Sequence, residues 1–145
     1  MITIQGIDHM NLGVLDLQRS IEFYRRVFGF RLLEDGRDRT DAPWVIVGIP
    51  GQACLALHQN GKSAPSEEPR INHWGFAIGD LETALATLRD NGVKILYADR
   101  PSEGVFEWPK SKSLYISDPD GHCIELATVF GGGLKDTDVG EGDGA

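Results

Sequence analysis

A repeat of one supersecondary unit constrains this chain more than any other feature of its sequence. The segment Ile7–Val14 has a counterpart 64 positions later, at Ile71–Ile78. In both copies an aspartate suited to cap a helix follows, and apolar residues then recur at helical spacing. Gly29 and Gly92 are placed to end the two helices in the left-handed cap that glycine favours. The repeat therefore predicts two copies of one module, which are too few for a solenoid.

The remainder of each copy has the alternation and the turn residues of β-strands. Strands are predicted in the first copy at Phe30–Arg37, Trp44–Ile49 and Cys54–Gln59, and in the second at Lys94–Ala98, Ser111–Ser117 and His122–Thr128. Each module is thus expected to run strand, helix, strand, strand, strand, which gives an α+β fold class. We expect one domain over residues 1–130, with module one at about 4–60 and module two at about 70–129. Residues 131–145 are Gly-rich and acidic, and they predict a disordered tail.

Charge and hydropathy exclude several classes of partner. The net charge of −8 argues against nucleic acid and anionic membrane surfaces. No apolar run is long enough to span a bilayer, and no signal peptide opens the chain. Two cysteines do not form a disulfide framework, so a cytoplasmic location is expected.

Three side chains of ligand type fall on the non-apolar faces of their strands. Because successive side chains of a strand point to opposite faces, His9 lies opposite the apolar face of its strand, as do His73 and Glu125 in theirs. Two imidazoles and one carboxylate suit a divalent transition metal with open coordination positions. Fe(II) or Mn(II) is favoured, and Ni(II) or Zn(II) also accepts these ligands.

The paired modules and the segment Tyr115–Leu126, which contains the motif DPDG-x-x-IEL, resemble the vicinal-oxygen-chelate superfamily. This superfamily includes glyoxalase I, extradiol dioxygenases, fosfomycin-modifying thiol transferases and bleomycin-binding proteins. The resemblance implies two paired βαβββ modules whose curled mixed sheets form a cup. It also implies that His9, His73 and Glu125 bind the metal, and that the chain forms a homodimer sharing each metal between subunits.

One position departs from glyoxalase I and methylmalonyl-CoA epimerase, two members that have a further Glu or Gln in the last strand of the first module. Alignment of the two copies places Ala56 there, and alanine cannot bind a metal. His58 lies on the same strand face, so it is a candidate for handling protons during catalysis. The substitution disfavours a glyoxalase I-like lyase, which is kept as an alternative.

The three-ligand set with open positions favours an extradiol-type dioxygenase that cleaves a catechol-like substrate. Tyr115 lies on the cup face and precedes Glu125 by ten residues. The resemblance implies that such a tyrosine hydrogen-bonds the bound substrate or intermediate. The same spacing occurs in the fosfomycin thiol transferases, so Tyr115 is catalytic in either interpretation.

A fosfomycin-type thiol transferase is the principal alternative. The segment Arg100–Gly104 resembles the start of the loop that these enzymes use to hold a cation and the phosphonate. Three features depart from them: a longer and more apolar loop, no arginine after Glu125, and Asn11 in place of a threonine. The substrate-binding candidates are Asn11, Arg100, Phe106 and Trp108, with Lys110 and Lys112 also available for an anionic group. A metal-free drug-binding protein of the bleomycin-resistance type is the other alternative, although such members usually lack the three ligands.

Overall fold

The described residues form two four-stranded mixed sheets. In each sheet, one α-helix lies in the chain between the first and second strands. The computed structural model describes residues 7, 9–38, 43–60, 73–107 and 111–128. The chain divides into two compact units, Met1–Arg70 with Asp118–His122, and Ile71–Ser117 with Cys123–Ala145. The predicted tail and most of the link between the modules lie outside the described residues.

The first unit contains the first module in the predicted order. Its elements are β1 (Met10–Val14), α1 (Leu17–Phe28), β2 (Arg31–Asp35), β3 (Trp44–Ile49) and β4 (Ala53–Gln59). The strand order in the sheet is β1-β4-β3-β2, with β1 parallel to β4 and the other pairs antiparallel. The alternating apolar positions of β1, β3 and β4 are buried, whereas every residue of β2 is exposed, so the core lies against the first three of these strands.

The second unit repeats this arrangement with smaller elements. They are β5 (Trp74–Ala77), α2 (Leu81–Asp90), a 3₁₀-helix (Pro101–Gly104), β6 (Phe106–Glu107), β7 (Lys112–Ser117) and β8 (Cys123–Ala127). The strand order is β5-β8-β7-β6, again with one parallel pair, β5 with β8. The buried apolar side chains of this unit are Leu88, Leu114, Ile116, Ile124 and Leu126.

Both helices begin at the aspartates that the repeat indicated. Asp16 accepts a hydrogen bond from the backbone N–H of Arg19, and Asp80 accepts one from that of Thr83. Gly29 ends α1 with a φ of 68°, as predicted. In the second module the cap residue is Asn91, and Gly92 follows it with a φ of 63°.

The predicted strand at Lys94–Ala98 is wrong. This segment forms turns, and its one pairing is an isolated bridge between Ile95 and Ile116. Tyr97 has a φ of 60°, which is incompatible with extended backbone. The strand that pairs with the outer edge of β7 is instead the two-residue segment Phe106–Glu107. The module keeps its predicted number of strands, but one of them lies later in the chain.

The turn between β7 and β8 belongs to the first unit, where its two aspartates are buried. Asp118 accepts a hydrogen bond from the Tyr24 hydroxyl at 2.9 Å and also from two backbone N–H groups of its own turn. Asp120 accepts from the Leu15 backbone N–H and from the Arg19 guanidinium, each at 2.9 Å. The acidic residues of the DPDG motif therefore form a buried hydrogen-bond network with α1.

Candidate functional site

Two of the three predicted metal ligands come together in the second unit. His73 directly precedes β5, and Glu125 lies in the neighbouring strand β8, opposite Gly75. The His73 Nε2 and Glu125 Oε2 atoms are 3.2 Å apart, and both side chains are partly exposed. Their neighbours in β8, Ile124 and Leu126, are buried, so strand alternation directs Glu125 away from the core.

This pair fits a divalent metal in part. An imidazole nitrogen and a carboxylate oxygen at hydrogen-bond distance, both accessible, are the donor atoms that Zn(II), Mn(II) and Fe(II) accept. Among the described residues, no three His, Cys, Asp or Glu side chains form a group that could hold a metal ion. His9 is exposed and lies in the first unit, just before β1, so its role as third ligand stays a prediction.

Strand register supports the alignment of Ala56 with Glu125. Asn11 in β1 pairs with Ala56 in β4, as Gly75 in β5 pairs with Glu125 in β8. The first sheet therefore has a methyl group at the position where the second has its carboxylate. A carboxylate at this register position is therefore confined to one of the two repeats.

Tyr115 lies beside the pair. It is opposite Glu125 in the register of β7 and β8, and its ring meets the His73 imidazole edge to face at 5.3 Å. Burial, followed by the negative charge of Glu125, raises the pKa of Tyr115 above its ordinary value of 10.0. The phenol is therefore protonated at neutral pH and available as a hydrogen-bond donor.

A cavity of about 240 Å³ opens next to these residues. Its lining consists of His73, Tyr97, Arg100, Phe106, Tyr115 and Cys123. Arg100 and Phe106 were predicted to bind substrate, so four predicted site residues share this cavity. The Arg100 guanidinium carbon lies 5.1 Å from the centre of the Tyr97 ring and 5.6 Å from that of Phe106, which are cation–π distances. Trp108 and Lys110 lie outside the described residues.

Tyr97 is a cavity residue that sequence reasoning missed. It lies within the segment wrongly predicted as a strand. Its positive φ turns the backbone away from an extended path and changes the direction of the side chain. The following residues Asp99 and Pro101 favour turns, and they were the available signal that no strand forms here.

Two other predicted residues lie in the first unit. The Nδ1 atom of His58 is 2.5 Å from the Oδ1 atom of Asn11, on neighbouring strands. An amide oxygen can only accept, so the Nδ1–H group of His58 donates this hydrogen bond. A second cavity of about 330 Å³ in this unit is lined by none of the predicted site residues. No helix in the described part of the chain is long and apolar enough to cross a membrane.

Comparison with known proteins identifies a family and a group of enzymes within it. Residues 6–126 match the family model of the Glyoxalase/Bleomycin resistance protein/Dioxygenase superfamily. The metallothiol transferase FosB of Staphylococcus epidermidis is 36% identical over 138 residues, covering 92% of this chain and 88% of that protein. The glutathione transferase FosA of Serratia marcescens is 30% identical over 125 residues, covering 85% and 80%.

Solved structures agree on the fold. A glyoxylase/bleomycin resistance protein/dioxygenase domain from Frankia has a TM-score of 0.71 at 21% identity, covering 87% of this chain and 93% of that one. The fosfomycin resistance protein FosX from Mesorhizobium loti has a TM-score of 0.66 at 24% identity, covering 88% and 94%. FosX from Listeria monocytogenes, whose crystals contain Mn(II) and sulfate, has a TM-score of 0.65 at 22% identity, covering 88% and 94%.

These findings correct the predicted reaction. An extradiol-type dioxygenase is wrong as the leading function, because the similar curated proteins are thiol transferases. The oxidoreductase and lyase interpretations have no support among them. The error has a chemical reason: two histidines, a carboxylate and a nearby tyrosine serve ring cleavage and thiol transfer equally well. The comparisons support an enzyme and a divalent metal, and they favour the thiol-transferase alternative.

Proposed function

Because the chain belongs to the Glyoxalase/Bleomycin resistance protein/Dioxygenase superfamily, we propose that it is a metal-dependent transferase that adds a small thiol to a phosphonate epoxide of the fosfomycin type. The observation that carries this proposal is the His73–Glu125 pair, whose histidine lines a cavity that also contains two phenols and one guanidinium. The 36% identity to a metallothiol transferase over most of both chains supports it.

The proposed metal ligands are His9, His73 and Glu125, in a homodimer where a second copy of the chain supplies His9. In such a dimer, the second unit of one copy would contribute only His73 and Glu125, in agreement with the pair of ligand-type residues found there. A divalent metal bound there supplies Lewis acidity to the epoxide oxygen. Mn(II) is the first candidate, because the FosX protein of Listeria monocytogenes was crystallised with it.

The residues around the pair have defined roles in this reaction. The thiol sulfur forms a bond to an epoxide carbon, and the bond from that carbon to oxygen breaks. The released oxygen takes up one proton, which balances the proton lost by the thiol. Tyr115, kept protonated by its surroundings, donates a hydrogen bond to that oxygen. Arg100 binds the phosphonate, which compensates for the arginine that is missing after Glu125. His58, held by Asn11, is proposed to accept the thiol proton.

Product analysis tests the proposal directly. Mn(II)-loaded protein is incubated with fosfomycin and either glutathione or L-cysteine, and products are identified by mass spectrometry and phosphorus NMR. We expect a thiol adduct that requires the metal and is lost in His73→Ala. A diol product would show that water, and not the thiol, opens the epoxide. That result would overturn the assignment as a transferase. Unreacted fosfomycin with metal-loaded wild type would reject fosfomycin itself as substrate.

A further inference from the structure

The backbone around the cavity is held in an unusual conformation. Tyr97, Ser102 and Glu103 have φ values of 60°, 65° and 53°, in the left-handed region that residues other than glycine rarely adopt. Such conformations persist only where the surrounding structure imposes them, and they concentrate at ligand sites. Glu103 is tied to α2 by an ion pair with Arg89 at 3.1 Å. Three left-handed residues within this short stretch make the segment between Tyr97 and β6 a candidate ligand-binding segment.

Three aromatic rings make up much of the cavity wall. The Tyr97 and Phe106 ring centres are 5.7 Å apart, those of Phe106 and Tyr115 are 5.4 Å apart, and those of Tyr97 and Tyr115 are 6.0 Å apart. Every pair meets edge to face, with planes 85° to 89° apart. Tyr97 is nevertheless 48% exposed, so a large part of its surface is available to a ligand. An exposed ring held at a strained position indicates a binding surface rather than a core residue.

Arg100 gives this apolar surface a positive charge. Its guanidinium lies against the Tyr97 and Phe106 rings, and a stacked guanidinium still presents its in-plane N–H groups to an anion. No carboxylate of the described residues forms an ion pair with it. A ligand that combines a flat apolar group with an anionic group would satisfy both surfaces at once.

The size of the cavity agrees with such a ligand. A dry protein cavity of about 150 Å³ accommodates benzene. The cavity here is about 240 Å³, so it has room for a phenyl ring and a small anionic group together. The methyl group of fosfomycin would leave most of the aromatic wall without a contact.

From these observations we infer that the enzyme selects aryl-bearing phosphonates over methyl-bearing ones, and that Tyr97 is the residue that determines this specificity. The inference deepens the proposed function and rests on it for the identity of the reaction. Arg100 binds the anionic group in this arrangement. The Tyr97 and Phe106 rings contact the aryl group.

Equilibrium binding separates this inference from the reaction itself. Phenylphosphonate and methylphosphonate are titrated by calorimetry into Mn(II)-loaded wild type, Tyr97→Phe and Tyr97→Gly. Glycine suits the positive φ, so the second variant removes the ring without adding strain. We expect wild type and Tyr97→Phe to bind phenylphosphonate at least about tenfold more tightly, which corresponds to ~1.4 kcal/mol. Tyr97→Gly should lose that preference and keep its affinity for methylphosphonate.

Arg100→Gln removes the positive charge and leaves Tyr97 in place. It should lower the affinity for both phosphonates by a similar factor. Equal binding of the two ligands by wild type, no binding of either, or an undiminished preference in Tyr97→Gly would each overturn the inference. Thermal unfolding of every variant checks that it is folded. Failure of the proposed function would appear separately, as the absence of thiol transfer in a protein that still prefers phenylphosphonate.

Discussion

At the scale of single residues, the two sheets of the repeat have the same strand order but differ in the side chain at the position of Glu125. Its counterpart in β4 is Ala56, so one carboxylate carries the negative charge of the proposed metal site. We expect Glu125→Gln to lower Mn(II) affinity by more than about tenfold. A loss of that size is usual even when the altered group only holds a metal ligand in place. Isothermal calorimetry with Mn(II) measures the effect.

Glu107→Gln is the matched control for that experiment. Glu107 is exposed in β6 and forms an ion pair with Lys112 at 3.4 Å, so the same chemical change there should leave Mn(II) affinity as in wild type. An unchanged affinity in Glu125→Gln would contradict the assignment of Glu125 as a ligand.

Tyr115 supports a second prediction at this scale. Tyr115→Phe keeps the ring against His73 and removes only the hydroxyl. Loss of a hydrogen-bond donor to an oxygen that develops negative charge lowers kcat by about 10²-fold to 10³-fold. We expect that decrease in steady-state thiol transfer, with KM changed far less. A variant with wild-type kcat would restrict Tyr115 to lining the cavity.

At the scale of elements, the hydrogen bond between Tyr24 in α1 and Asp118 in the β7–β8 turn links stability to pH. Burial, and then the charge of Asp118, raises the pKa of Tyr24 well above 10.0. The unfolded tyrosine ionises near 10, so the stabilisation is complete below that pH and is lost as the pH rises above it. Free energies of unfolding measured in urea should therefore fall from about pH 9 to about pH 11.

Tyr24→Phe isolates this contribution. At neutral pH it leaves Asp118 without one of its donors, at a cost of about 1–2 kcal/mol. Its stability should then decline less over the alkaline range than that of wild type. Tyr97→Phe, which alters an exposed tyrosine, should decline as wild type does. Parallel alkaline profiles for wild type and Tyr24→Phe would show that Tyr24 is not the titrating group.

At the scale of the whole molecule, the proposed dimer predicts complementation between inactive variants. His9→Ala and His73→Ala should each be inactive alone, because each damages every site. If two copies share each metal, a mixed dimer has one doubly altered site and one intact site. Mixing equal amounts after partial unfolding and refolding should restore about a quarter of wild-type activity by random pairing. A mixture that stays inactive, although mass spectrometry detects mixed dimers, would place all three ligands within one chain.

Local periodicity determined the two modules, the helix caps and the strand faces, because alternation and capping depend on neighbours in the chain. It therefore identified His73, Glu125 and Tyr115 correctly as sharing one side of the second sheet. The reaction was beyond reach at this level, since these side chains serve several reactions of one superfamily.

Only the tertiary structure decided what surrounds those residues. Tyr97 adopts a positive φ, and it lies with Arg100 at the cavity beside the His73–Glu125 pair. The burial of Asp118 and Asp120 likewise depends on α1, about a hundred residues earlier in the chain. Periodic patterns specify which face a side chain occupies. Contacts between residues distant in sequence determine which side chains meet there, and no pattern of near neighbours encodes those contacts.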